Sequence, residues 1–221
     1  MLSSNTTKSQ IQDRLKAGSA SKVWTPADFI DLGTRDVVDK TLQRLTKVGN
    51  LQRIDRGLYM TPHINTLTKK TATPDYQKII EAVSRREQVR VLVDGLTAAN
   101  ALGLTDAVPG KVIAHIDARL RPIQIGNLLI QFKLTAPSKL YWADRPAMYL
   151  VQALYWLHDN LKNLDNAKQN HVEKKITRLL SSTKGKEICH DLVEGFHMLP
   201  IWMQNWLRNK IPTIEKNSHE L

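Results

Sequence analysis

The chain has 221 residues and carries 32 lysines and arginines against 21 aspartates and glutamates, a net +11 with histidine neutral. A fixed positive surplus gains free energy by releasing counterions condensed on a polyanion, so nucleic acid is expected as a partner before a membrane. One cysteine, Cys189, excludes an internal disulfide and any zinc ribbon built on paired thiolates, and no apolar run approaches the roughly 18 residues of a membrane span.

Met1 to Gln10 is polar and lacks the apolar core of a secretory signal, so a cytoplasmic location is expected. Residues 8–17 are predicted as a short helix stopping at Gly18, with Gly18–Ser21 a loop of small residues. Thr25-Pro26-Ala27-Asp28 has the make-up of a helix start: a hydroxyl to cap, a proline at the first helical position and an acid facing the positive dipole end. That helix is predicted to carry Phe29, Ile30 and Leu32 and to end at Gly33, in the left-handed conformation glycine adopts most cheaply.

Thr34 can cap the next helix, predicted over Arg35 to Val48. Val38, Leu42 and Leu45, flanked by Val37, Thr41 and Val48, follow i, i+4, i+7 spacing and define one buried face. Gly49-Asn50 stops it. Two extended pieces follow, Leu51–Ile54 and Leu58–Met60, joined by Asp55-Arg56-Gly57, where glycine permits a tight turn at positive φ. The order is helix, short strand, helix, tight turn, helix and two-stranded ribbon, which predicts a winged helix-turn-helix.

Asn65–Thr73 has no hydrophobic period and is read as linker. A helix from Thr73-Pro74-Asp75 to about Glu87, a strand at Val89–Val93 and an Ala-rich helix at Leu96–Leu104 come next. Strands are predicted at Lys111–Asp117, Pro122–Ile125 and Leu128–Leu134, the last two joined through Gly126-Asn127. From Pro146 the chain is predicted helical to its end. The stripes are Met148, Val151, Leu154 and Tyr155; Val172, Ile176 and Leu179; Ile188 and Leu192; Trp202, Trp206 and Leu207. Tryptophans at that spacing beside Leu and Met suit a core or a subunit interface better than a base-stacking platform.

The expected fold class is α+β. A winged helix-turn-helix over residues 1–62, a linker at 63–73 and a mixed α/β domain at 74–221 with a helical C-terminal part make up the chain. Net charge is +4 over 1–62, +5 over 63–142 and +2 over the remainder, so the last third is the poorest polyanion surface.

On a wheel centred on Val38, the face opposite the core holds Asp36, Asp39, Lys40, Gln43 and Lys47, with Arg35 and Arg44 at its rims and Thr34 at its start. Each type has a job in a major groove. Gln43 can bond an adenine edge with two hydrogen bonds, and Asp36 or Asp39 can accept from a cytosine amine. Lys40, Lys47, Arg35 and Arg44 reach guanine or phosphate, while Arg53 and Arg56 at the ribbon tip reach a neighbouring phosphate or the minor groove. The bland alternative is a solvated face in which Asp36 and Lys40 form an i, i+4 pair.

Val23–Pro62, with its TPxDF helix start, LxxLxxxGxLxRI junction and RGLY return, resembles the N-terminal domain of the AbiE-type antitoxins of bacterial type IV toxin–antitoxin, or abortive-infection, systems. The stretch from Leu96 to Leu140 is similar to the same group in its ALGLT…VP turn, its hairpin and its P-x-K-L exit. It departs at His115-Ile116-Asp117-Ala118-Arg119, where a Thr-Asp-Gly-like turn is usual. The resemblance implies an antitoxin that represses its own promoter at inverted repeats and counteracts a nucleotidyltransferase-like toxin without forming a stable complex. Reading inverted repeats takes two recognition helices about one DNA turn apart, so a homodimer or cooperative monomers are expected. A stand-alone transcriptional regulator is the alternative that shares the same DNA surface.

No enzyme is expected, and no cofactor or metal. The seven histidines show no HExxH or HxH spacing, and no glycine-rich phosphate loop or GxSxG elbow is present. Cys189 and His190, adjacent on a helix, point about 100° apart and make a poor nucleophile–base pair. The best catalytic alternative is a nuclease-like set, Asp94 or Asp117 with Gln131, Phe132 and Lys133, in which a carboxylate, an amide and a lysine surround Mg²⁺. Glutamine is a weak ligand for that ion.

Overall fold

Two apolar cores are built by two stretches of alternating helix and strand, and the α+β class follows from that. The computed structural model describes residues 6–19, 21–62, 74–160, 166–208 and 210–211. The chain divides into two compact units, residues 1–89 with 123–129, and residues 90–122 with 130–221. Among the described residues no helix is long and apolar enough to cross a membrane.

The first unit begins with α1 (Thr7–Ala17), capped where the Thr6 hydroxyl accepts from the Ser9 N–H, and continues through β1 (Val23–Trp24) to a single 3-10 turn at Pro26–Phe29. The helix predicted from Thr25 to Gly33 is therefore only this one turn. The Asp28 carboxylate accepts from the Thr25 N–H at 2.7 Å and from its hydroxyl at 3.0 Å, which closes the turn early. Beyond Phe29, Ile30 is exposed and Asp31 is held by a two-pronged bond from Arg14, so no second apolar turn pulls the segment into a longer helix. Gly33 is not at positive φ, contrary to the expected left-handed stop.

α2 (Arg35–Lys47) follows. Thr34 stands at its N-cap with extended backbone, but its hydroxyl makes no capping bond. Val38, Thr41, Leu42 and Leu45 are buried, whereas the expected flanking positions Val37 and Val48 are exposed. The Thr41 and Thr46 hydroxyls donate back to the Val37 and Leu42 carbonyls, which removes their need for water. Gly49, at φ 79°, ends the helix.

β2 (Gln52–Asp55) and β3 (Leu58–Met60) turn at Gly57, φ 68°, and β1 adds a third antiparallel strand in the order β1-β3-β2. β3 is central, which is why Leu58, Tyr59 and Met60 are all buried, while β2 is an exposed edge with a bulge between Arg53 and Asp55. Ile11, Trp24, Phe29, Val38, Leu42, Leu45, Leu51 and Tyr59 form one core, with Trp24 stacked on Phe29 at 5.3 Å between centroids. Gly18 leaves room for the Trp24 ring: a Cβ there would lie 2.3 Å from it. The small loop residue read from the sequence is thus a packing site.

The predicted linker 63–73 lies outside the described residues, save that the helix after it starts as expected, at α3 (Tyr76–Glu87) with Asp75 as its cap. The sequence reading groups α3 with the second domain, from 74 onward. In the structure it belongs to the first unit, because Arg85 donates to the Val23 carbonyl at 3.0 Å and pairs with Asp28 at 3.4 Å.

The second unit carries β4 (Val91–Val93), α4 (Gly95–Ala101) and β5 (Lys111–Ile116). β4 and β5 pair antiparallel, Leu92 opposite His115. β7 (Leu128–Leu134) continues into this unit, whereas β6 (Ile123–Ile125) falls in residues 123–129 of the first; the strand order is β4-β5-β7-β6, and Gly126, at φ 56°, makes the tight turn between the last two. The small residues of α4 let α5 (Met148–Asn160) approach closely: a Cβ on Gly95 would lie 2.7 Å from the Trp156 Cβ and 2.8 Å from the Gln152 carbonyl.

Among the described residues the predicted helical end is four α-helices, and its last stretch, 212–221, lies outside them. α5 is followed by α6 (Asn166–Leu180), α7 (Thr183–Glu194) and α8 (Ile201–Arg208). Ser182 caps α7, and Arg145 latches α7 by donating to Asp191 at 2.7 Å and Glu194 at 2.6 Å. The stripe residues Met148, Val151, Leu154, Val172, Ile176, Ile188, Leu192 and Leu207 are buried, while Tyr155 is exposed beside Trp202.

Candidate nucleic-acid interface

Burying Val38, Leu42 and Leu45 forces the opposite side of α2 into solvent, because positions 180° apart on a helix cannot both face one core. Arg35, Asp36, Lys40, Gln43, Arg44 and Lys47 are all exposed, and Asp39 is half-buried. The two lysines on which a groove-binding face depends, Lys40 and Lys47, are therefore open rather than occluded.

The ion pair on this face is not the one the bland alternative named. Arg35 donates to Asp39 at 2.9 Å, across one helical turn, and no Asp36–Lys40 pair forms. That pair removes one cation and one acid from the face together. Asp36 in the first turn and Arg44 and Lys47 in the last each complement the nearer end of the helix dipole.

Arg53 and Arg56 are exposed on the β2–β3 hairpin of the same unit. Among the described residues the Arg53 guanidinium reaches the Asp55 carbonyl, at 3.3 Å, on its own strand. The turn itself is held by a residue the sequence reading missed. Arg86 on α3 donates to the Arg56 carbonyl at 2.6 Å, and its guanidinium lies 3.5 Å from where a Gly57 Cβ would stand. It is 30 residues distant along the chain and carries no local signal, so only the docking of α3 reveals it. Glu87 pairs with the same guanidinium at 2.7 Å and keeps it oriented.

The nuclease-like set has other duties. Both oxygens of Asp94 are used to start α4, accepting from the Thr97 N–H at 3.0 Å, the Thr97 hydroxyl at 2.6 Å and the Ile113 N–H at 2.9 Å. Asp117 accepts from the Arg90 backbone and side chain at 3.3 and 3.4 Å. Gln131 and Lys133 are exposed on β7, and Phe132 is half-buried between them. Lys133 and Asp94 do meet electrostatically, at His115. Burial lowers the pKa of that imidazole, the Lys133 charge lowers it further and Asp94 opposes them, while its Nδ1 lies 3.0 Å from the Thr135 hydroxyl. Among the described residues no group of three or more His, Cys, Asp or Glu is placed to hold a metal ion. Burial raises the Cys189 thiol, opposite to the shift a nucleophilic thiolate needs.

Residues 10–216 match a family whose description is a family of unknown function, DUF6088. A search of curated proteins finds none that matches the chain.

Proposed function

The chain belongs to the DUF6088 family, and from its own geometry we propose that it binds double-stranded DNA sequence-specifically and acts by binding rather than catalysis. One observation carries the reading: α2 buries one stripe completely and presents Lys40, Gln43, Arg44 and Lys47 together on the other. The order α1, β1, 3-10 turn, α2, β2, β3 supports reading this unit as a winged helix-turn-helix whose middle helix is a single turn.

In this reading α2 lies in the major groove. Gln43 bonds an adenine edge, Asp36 accepts from a cytosine amine, and Lys40, Arg44 and Lys47 contact guanine or phosphate. Arg53 and Arg56 rest on the flanking backbone, with Arg86 holding the turn that presents them. Arg35 and Asp39 neutralise each other until DNA arrives, and Thr34 lines the helix start. Two copies, as a homodimer or as cooperative monomers, place two α2 helices about one DNA turn apart on an inverted repeat.

The resemblance to AbiE-type antitoxins supports the finer proposal. The protein represses its own promoter in the bacterial cytoplasm and counteracts a nucleotidyltransferase-like toxin without a stable complex, its second unit serving antitoxicity or assembly.

Mobility-shift titration on the DNA upstream of its own gene tests the binding. Gln43→Ala should cost about 1–3 kcal/mol at one base position. Arg56→Ala should weaken all sequences alike. Equal binding by wild type and both variants overturns the groove assignment. Co-expression with an adjacent nucleotidyltransferase-like gene tests the antitoxin step: growth arrest that this chain does not relieve overturns it.

A further inference from the structure

α5, α6 and α8 of the second unit do not close on one another. A cavity of about 280 Å³ remains between them. Its floor is apolar, made by Leu154 and Leu157 of α5 and Val172 and Ile176 of α6, each turned away from bulk solvent. Its side is aromatic, made by Trp202 and Trp206, one helical turn apart on α8. Side chains in cores normally interdigitate to near-crystalline density, so an unfilled space of this size with such walls is a place where a guest molecule regains contacts its lining lacks.

The polar groups at the cavity are few and differ in what they offer. His158 lies nearly flat on the Trp202 ring, 4.0 Å between centroids and 22° between planes, which prolongs the aromatic wall at the mouth. Glu173 is on the cavity lining with its side chain half-exposed, and its carboxylate accepts from Lys210 at 3.1 Å. Lys210 also stands 5.5 Å from the centroid of Trp206, so cation, ring and carboxylate brace one another at that end. Flat aromatic walls select a flat guest, the volume suits one or two fused rings, and a carboxylate acceptor selects an N–H donor.

We propose that the cavity between α5, α6 and α8 is a binding site for a small planar aromatic molecule of one or two rings whose N–H donates to Glu173. No residue of α2 is among those that line it. In this proposal the apolar stripe residues Leu154, Val172 and Ile176 are the floor of a pocket.

The test uses the full chain, with indole and 1-methylindole as probes, in ¹⁵N–¹H spectra of the five tryptophan side-chain N–H groups. The peaks of Trp202 and Trp206 are identified through Trp202→Phe and Trp206→Phe. Indole should move these two saturably and leave Trp24, Trp142 and Trp156 in place, and 1-methylindole should bind at least fivefold more weakly. Val172→Phe, which fills the floor, should abolish the shifts, and Glu173→Ala, a surface change that leaves the core intact, should reduce indole to the affinity of 1-methylindole. No saturable shift, or equal shifts across all five peaks, overturns the site. Equal affinity for the two probes, or an unaffected Glu173→Ala, overturns the donor–acceptor assignment.

Discussion

Replacing Lys40 and Lys47 together by alanine removes two of the five cations that α2 and the β2–β3 turn present without an ionic partner among the described residues. The others are Arg44, Arg53 and Arg56, while Arg35 is held by Asp39. Each phosphate neutralised contributes about −0.9 to the slope of log K against log salt. Five contacts therefore set an upper bound near −4.5 per bound chain, or roughly a 500-fold loss of affinity between 50 and 200 mM salt. With two cations gone the slope should fall to about −2.7 and the loss to about 40-fold. Because both side chains are exposed, the change should leave folding untouched, which circular dichroism checks. Fluorescence anisotropy with a labelled operator duplex over that salt range gives the two slopes. A folded double variant whose slope equals that of the wild type would refute the placement of α2 on the duplex, and a wild-type slope near zero would refute the DNA surface altogether.

Four further outcomes concern the second unit. Asp191→Ala should lower stability by about 3 kcal/mol in urea, since it strands the Ala147 N–H that donates to it at 2.9 Å and leaves Arg145 half-shielded with only Glu194; a loss below about 1 kcal/mol would show the latch to be marginal. Gly185→Ala should cost about 3 kcal/mol or more in the same assay, because the added Cβ would collide with the carbonyl oxygens of Leu179 and Leu180, and a neutral result would contradict that close approach. His115 has its folded pKa below the unfolded imidazole value, so the unfolded chain takes the proton first and stability should fall as pH drops from about 6.5 through the folded value. Lys133→Ala should raise the His115 titration seen by NMR, and an unmoved titration would remove Lys133 as a cause.

How far the molecule is legible without coordinates depends on the range of the forces involved. The α2 stripe, the Gly57 and Gly126 turns and the strands around them follow from periodicity and backbone sterics acting within a few residues, and they stand where those signals put them. The exposed set on α2 follows from the same geometry, since whatever lies opposite Val38 and Leu45 must face away from the core. The segment after Thr25 misleads because its cap chemistry is genuine while its continuation is not. Capping residues start a turn, but only buried apolar neighbours extend it, and Ile30 finds none. The pairing of Arg35 with Asp39 rather than Lys40 with Asp36 is likewise undecided by spacing, as both are one turn apart.

By itself the chain of residues determined its α+β class, the hydrophilic side of α2 and a positive charge suited to polyanions, because these depend on composition and on the fixed periods of helix and strand. Only the tertiary structure decided that α3 docks on the first unit through Arg85 and Arg86, that Asp94 is spent on starting α4, and that three C-terminal helices enclose a cavity. Those features join residues tens of positions apart, and no local preference encodes which distant partner a guanidinium or carboxylate will meet.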